Sequence, residues 1–447
     1  MKLLMTADRV GGVWQYATEL AAALAPLGVE TVVAVMGPRE PDQFPNSVQA
    51  EPVEALPFSS AKKDNPLRLT AYGSRSGQAS TSSGRTERGD AIVGEMTILD
   101  THLPLDWLCD GPGPVRAAAA ALAALARDVG ADLVHLNSPA LAGATRWPVP
   151  VVAVEHGSVA PWWEAAHPGE PLPAPFAWHA AMVRDGLLAA DAAIVPSASY
   201  ATAVQRRYHL PRSPVAIHNG RTPSLLPTAA PARYALTAGR LWDRVKRTSL
   251  LDRVAALTPI RAAGPLTGPH GETVVCEHLR HLGTLSTSAL AAALAARPVF
   301  VSAASFEPFG LAVLEAAQAG CPLVLSDIAT FRELWDGAAL FVTSEDPADW
   351  AAAIDRARAD RETLGEAAQA RAARYTPEAT AAAMMAVYDQ ILRRPLLSSP
   401  AREREVGGGG APTPRDRTPP PPPPSAVPLP LAGEDREIGR LDRVRVA

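Results

Sequence analysis

Residues Val299–Asp327 read VFVSAASFEPFGLAVLEAAQAGCPLVLSD, and they set the architecture of the whole chain. Val299–Ser302 is a short apolar run with the character of a buried parallel strand, and Gly310–Ala319 has helical composition. Gly320 stands where a helix C-cap belongs, and Pro322–Leu325 is a second apolar run. The stretch is a strand, a loop, a helix and a strand. In open α/β sheets the loop beyond a strand's carboxyl end is where ligands bind, and the following helix offers N–H groups and a partial positive charge to an anion. Glu307 lies in that loop, Pro308 and Gly310 shape its turn, and Glu315 follows eight positions later, beyond the first turn of the helix. Both carboxylates can face one bound ligand; as plain surface chemistry they would be two solvated charges on an amphipathic helix.

These residues carry a resemblance. E-P-F-G-L-A-V-L-E followed by A-G-C-P-L-V-L-S-D resembles the E-x7-E signature of the family-4, or group 1, retaining glycosyltransferases of the GT-B fold. The resemblance implies that Glu307 contacts hydroxyls of a donor sugar and Glu315 the nucleotide ribose. It also implies that amides around Phe309, Gly310 and Leu311 lie near the diphosphate.

Bulk properties agree with a large enzyme of this kind. At 447 residues the chain suits two globular domains with additions. A net charge of −4 shows no basic excess, so nucleic acid is not an implied partner. Cys109, Cys276 and Cys321 are far apart and form no C-x-x-C pair, which argues against a disulfide framework or a cysteine zinc site and fits the reducing cytoplasm. Neither a signal core nor a run of about twenty apolar residues is present, so a soluble protein is expected; peripheral membrane contact stays compatible with that.

From the N-terminus, Lys2–Thr6 reads as a strand, Asp8–Gly12 as a polar turn and Val13–Leu24 as a helix, with the next strand at Thr31–Met36. Gly11 and Gly12 lack Cβ atoms and allow close approach of a ligand. A plain tight turn is the competing reading, and DRVGGV is not a dinucleotide fingerprint. In the resembling family this loop lies in the interdomain cleft near the donor phosphates. Ser59–Asp100 is rich in Ser, Thr, Gly and charge and reads as a flexible insertion. Order returns with a helix near Pro114–Val129, a strand ending near Asn137 and another at Val149–Val154, which runs into Glu155-His156-Gly157-Ser158. A polar cluster at a strand's carboxyl end is a site position, and the resemblance turns His156 toward the reacting centre. Trp162 and Trp163 fit either a sugar-stacking platform or the core.

A proline-rich linker, 223–231, precedes the second sheet. There Gly239-Arg240 follows a strand at Tyr234–Thr237, with Lys246 six positions after the arginine. A leaving diphosphate gathers negative charge that fixed cations stabilise, through the arginine fork and the lysine point charge. This element resembles the family's G-R-x5-K, in which both cations hold the donor diphosphate. Thr267–Val275 reads as a loop or hairpin near the base-recognition region of the family. His278 and His281 have i, i+3 spacing suited to a helix, without an evident third ligand. Helices are expected at Asp346–Thr363 and Pro377–Leu392, the latter packing back on the first domain. Beyond Arg394 a polyproline run lacks backbone donors and reads as a disordered tail.

Pattern and resemblance together give an α/β, GT-B chain of two Rossmann-like domains facing across a cleft. Residues 1–220 form the acceptor-side domain with its insertion at 59–100, residues 221–394 the nucleotide-sugar domain, and 395–447 the tail. The implied activity is metal-independent transfer of a hexosyl-type sugar from a nucleoside-diphosphate sugar to a hydroxyl acceptor, a glycan or lipid-linked glycan among the candidates, with retention of configuration. No cofactor other than the donor is implied, and no Asp-x-Asp element stands at a strand end. The alternatives are a non-catalytic nucleotide-sugar-binding protein, an epimerase on the same scaffold, or an interaction protein working through its proline tail.

Overall fold

The computed structural model describes residues 1–8, 12–37, 71–73, 96–227, 229–269 and 271–393. Eight strands form the first sheet: β1 (Lys2–Asp8), β2 (Glu30–Met36), β3 (Ala71–Gly73), β4 (Thr97–Asp100), β5 (Leu133–Leu136), β6 (Val151–Val154), β7 (Ala192–Val195) and β8 (Val215–Ala216). Six form the second: β9 (Ala235–Ala238), β10 (Ile260–Ala263), β11 (Arg280–His281), β12 (Val299–Ser302), β13 (Leu323–Ser326) and β14 (Leu340–Val342). Their orders are β3-β4-β2-β1-β5-β6-β7-β8 and β11-β10-β9-β12-β13-β14. Every pairing is parallel except β3 with β4.

Parallel strands need crossover helices, and these cover both faces, so the central strands are apolar on both sides, whereas the edge strands β8 and β11 are exposed. Leu4, Val32, Ala34, Val134 and Ala153 point to one face of the first sheet, under helices Pro112–Asp128, Ala177–Ala189 and Ala198–Tyr208. Leu3, Met5, Val33, Leu133 and Val152 point to the other, where Tyr16, Ala17 and Leu20 of helix Gly12–Leu24 meet Met384, Tyr388 and Ile391 of helix Pro377–Leu392. The C-terminal helix thus returns to the first sheet. In the second sheet Phe300, Leu323 and Leu325 pack under helix Leu311–Gln318, while Val299, Val301 and Val324 pack under Trp350 and Ile354 of helix Pro347–Ala359.

Two expectations change. Thr97–Asp100, counted with the Ser59–Asp100 insertion, is a strand that pairs with β2 from Val32↔Thr97 to Val35↔Asp100. Alternating Ile98 and Leu99 supply the apolar content that the polar residues before them obscure. His278 and His281 do not share a helix: His281 lies in β11, and its Nε2 bonds the Gly264 carbonyl at 2.7 Å. Gly11, most of the insertion and the 395–447 tail lie outside the described residues. No described helix is long and apolar enough to cross a membrane.

Sheet order places the ligand crevice. Neighbours β1 and β5 leave the first sheet in opposite directions, as do β9 and β12 in the second. At such switch points the carboxyl-end loops part and leave room for a ligand. Beyond the ends of these four strands stand Gly12, at the start of its helix, Asn137, Gly239–Lys246 and Glu307.

Candidate functional site

On the second sheet, the loop after β9 and the loop after β12 face each other. Lys246 Nζ pairs with Glu307 Oε2, closing the switch point with one cation and one carboxylate. Lys246 ends a short 3-10 turn, Arg244–Lys246, whose N-cap Asp243 accepts the Val245 N–H. Asp243 is buried and also pairs with Arg240 Nη2 at 2.9 Å. Arg240 itself stays 52% exposed, so its remaining donors are open to an anion. Close packing of the strand ends permits this layout: a Cβ on Gly264 (φ +136°) would fall 1.8 Å from the Gly239 carbonyl oxygen.

Gly310 adopts φ +96° and starts helix Leu311–Gln318. Phe309 is buried edge-on against Tyr375 at 5.7 Å, which leaves only its backbone for a ligand. A Cβ on Gly12 would lie 3.1 Å from Leu311 Cδ1, so the first sheet's helix meets the second sheet's helix at these candidates. Glu315 bonds Arg221 Nε at 2.6 Å and lines an open cleft with Gln15, Ser224, Thr287 and Leu290.

From the first sheet comes the loop after β6. His156 Nε2 lies 2.8 Å from Asn137 Oδ1, and His135 Nε2 lies 3.2 Å from the same oxygen. Asn137 Nδ2 donates to the Thr6 carbonyl at 2.6 Å, which fixes Oδ1 as the acceptor. Both histidines therefore carry hydrogen on Nε2 and accept at Nδ1; for His135 that acceptor takes the Tyr388 hydroxyl at 2.6 Å. Burial, then the proximity of His135, pulls the His156 pKa down to about 3, so its ring is neutral. Tyr16 packs edge-on against it at 4.6 Å.

Glu155 anchors this loop. It is buried, and its Oε1 accepts the Tyr200 hydroxyl at 2.6 Å and the backbone N–H of Ser158 at 2.5 Å and of Gly157 at 3.1 Å. Desolvation raises its pKa against those hydrogen bonds. Gly157, at φ +131°, leaves room for Pro308 and Phe306, so the His156 loop and the Glu307 loop touch. Ser197 Oγ donates to the Pro308 carbonyl at 2.8 Å, and Trp162 Nε1 donates to Asp243 Oδ1 at 2.8 Å. Trp163 stacks on His167 with centroids 3.8 Å apart. Trp162 thus ties helix Val159–Ala166 to the Gly239–Lys246 loop, while Trp163 packs at the end of its own helix.

Glu307, Lys246, Arg240, Leu311, Gly310, Gly12 and His156 are thereby gathered at facing carboxyl edges, with Glu315 further along the cleft. Sequence reasoning placed Glu155 in the polar cluster after β6 but gave no individual role to it or to Arg221, Asp243 and Asn137, whose partners are His156, Glu315, Arg240 and their neighbours. Among the described residues no cluster of three or more His, Cys, Asp or Glu could hold a metal ion.

Two family models match the chain: Glycosyltransferase Family 4 over residues 80–224 and Glycosyl transferases group 1 over residues 273–374. A D-inositol 3-phosphate glycosyltransferase of Geodermatophilus obscurus is 34% identical over 116 residues, 26% of each chain; the match spans about a quarter of that relative's length. Among solved structures, sucrose-phosphate synthase from Thermosynechococcus elongatus aligns with TM-score 0.63 and 18% identity, over 88% of this chain and 99% of that one. The catalytic domain of starch synthase IV from Arabidopsis thaliana, bound to ADP and acarbose, gives 0.60 and 12%, over 88% and 99%. HepE of Anabaena in complex with UDP-glucose gives 0.56 and 16%, over 87% and 100%. The shared architecture is GT-B.

Proposed function

Because the chain belongs to the family-4, group 1 glycosyltransferases, we propose that it transfers a hexosyl group from a nucleoside-diphosphate sugar to a hydroxyl acceptor with retention of configuration and without a metal. The observation that carries this reading is the facing pair Lys246–Glu307 at the second sheet's switch point, with Arg240 half exposed beside it. A diphosphate entering the crevice replaces Glu307 as partner of Lys246 and meets the open donors of Arg240. Charge that develops on the leaving oxygen then lies against two fixed cations. Glu307, released from the lysine, accepts hydroxyls of the donor sugar, and Glu315 accepts those of the ribose. Amides at Gly310 and Leu311, at the start of their helix, add donors for the phosphates. His156 stays neutral and presents Nδ1 as an acceptor for a hydroxyl at the reacting centre. The UDP-glucose held by the Anabaena neighbour supports the donor class.

Titration calorimetry with UDP, GDP and ADP tests the clamp. Arg240→Ala and Lys246→Ala are each expected to weaken the binding nucleotide by about 1–3 kcal/mol. Unchanged affinity in both variants would sink the assignment. With the donor known, NMR of the anomeric proton in the product reads retention directly.

A further inference from the structure

Arg221 belongs to none of the motifs above, yet it sits where the two sheets' contributions to the cleft meet. It is buried, at 7% exposure. Its backbone is fixed from both sides: the Arg221 N–H donates to the Tyr375 carbonyl at 3.2 Å, and its carbonyl accepts Gln318 Nε2 at 2.6 Å. The guanidinium is therefore delivered to one place. There Nε donates to Glu315 Oε1 at 2.6 Å, and Nη1 to Glu19 Oε1 at 2.5 Å. Glu19 is held in turn by the Thr222 N–H at 3.1 Å on its other oxygen. One cation thus joins a carboxylate of helix Leu311–Gln318 to a carboxylate of helix Gly12–Leu24, beside the cleft that Arg221, Glu315 and Gln15 line.

We propose that Arg221 is the positioning residue for nucleoside recognition: it presents the Glu315 carboxylate to the ribose of the donor and ties that carboxylate to the first sheet through Glu19. This rests on the ribose role given to Glu315 above. A glutamate side chain facing a cleft samples several rotamers, and ordering it opposes binding. With Oε1 occupied by the Arg221 Nε–H, the carboxylate plane is set and Oε2 remains to accept a hydroxyl. Arg221 also separates two carboxylates that would otherwise repel each other. Diphosphate binding needs none of this, because Arg240 and Lys246 lie on another loop.

That separation supplies the test. Wild type, Arg221→Met, Glu315→Gln and their combination are titrated with the nucleoside diphosphate that wild type binds, and with inorganic pyrophosphate, which has no ribose. Arg221→Met is expected to weaken the nucleotide about tenfold, as Glu315→Gln does, with the combined variant no weaker than the weaker single one. Pyrophosphate affinity should stay within about twofold, since its charged partners are untouched. Nucleotide affinity kept in Arg221→Met but lost in Glu315→Gln overturns the positioning role alone. Affinity kept in both removes the ribose reading as well. Parallel loss of nucleotide and pyrophosphate marks a structural collapse and overturns the proposal too. Should Arg221→Met fail to fold because two carboxylates lose their cation, Arg221→Met with Glu19→Gln removes that repulsion, and the same outcomes apply.

Discussion

Glu333 offers a quantitative test of how the two sheets are joined. It lies on helix Ala329–Trp335 beside the second sheet, but its carboxylate caps the first sheet's helix Ala198–Tyr208. Oε1 accepts the Ala198 N–H at 2.8 Å and His218 Nε2 at 2.9 Å; Oε2 accepts the Ser199 N–H and Oγ–H, both at 2.7 Å. Burial opposes ionisation here, but the bonds from His218, Ser199 and Ala198 outweigh it and take the pKa from 4.5 to about 2. At about 1.4 kcal/mol per pH unit, that displacement corresponds to roughly 3 kcal/mol in favour of the folded, ionised state. Glu333→Gln removes the charge and turns an amide N–H₂ toward a set of donors, so a loss of about 2–4 kcal/mol is expected near neutral pH. The sign with pH follows from the depressed value. The stabilisation is complete above about 4.5 and drains away as pH falls toward 2, because the unfolded chain takes up the proton first. Urea unfolding of both proteins at pH 7 and through the acid range measures this. The curves should converge on acidification, since other paired carboxylates contribute equally to each. A neutral-pH difference below about 0.5 kcal/mol, or curves that stay parallel into acid, refutes the reasoning.

Two further outcomes follow from the geometry. Gly264→Ala would place a Cβ 1.8 Å from the Gly239 carbonyl oxygen on a backbone at φ +136°; a loss above about 3 kcal/mol, or of folded protein altogether, is expected in thermal unfolding, and an unchanged melt would refute the packing of these strand ends. His135 and His156 have pKa values lowered from 6.5 to about 4 and about 3, chiefly by burial, so both rings should remain neutral with hydrogen on Nε2 at pH 5.5 in nitrogen-detected NMR. Because the unfolded chain binds those protons and the fold does not, stability should fall as pH drops below about 6.5; imidazolium signals at pH 5.5 would contradict the Asn137 network.

Legibility in the sequence tracked the range of the interaction. Val299–Ser302 and Pro322–Leu325 read correctly because a strand buried on both faces is apolar at every position, and helix Pro377–Leu392 was visible because Thr376 and Pro377 mark its start. The placement of Gly239-Arg240 and Lys246 just after a strand was legible because strand, loop and cation are contiguous. Thr97–Asp100 was not: at four residues behind a long polar stretch, it carries too little periodicity to stand out. The histidine spacing at 278 and 281 misled because i, i+3 is meaningful only on a helix, and Asp252 holds that segment extended by accepting the N–H groups of Glu277, His278 and Leu279.

What stayed hidden has a common cause. Arg221 reaches Glu315 across 94 positions and Glu19 across 202, Trp162 reaches Asp243 across 81, and Ser199 reaches Glu333 across 134. A charged residue in a one-dimensional reading looks like solvated surface, because its partner is set by topology and not by spacing. Trp162–Asp243 and Ser199–Glu333 join the first sheet's elements to the second's, and Arg221 does so by holding Glu19 and Glu315 at once, so these long-range contacts hold the two sides together. The visible motifs supply the groups assigned above to the proposed chemistry, while the long-range pairs hold the facing loops in place. Arg221 is where the two sets meet: its partner Glu315 belongs to the motif, and its other partner, Glu19, belongs to the opposite wall.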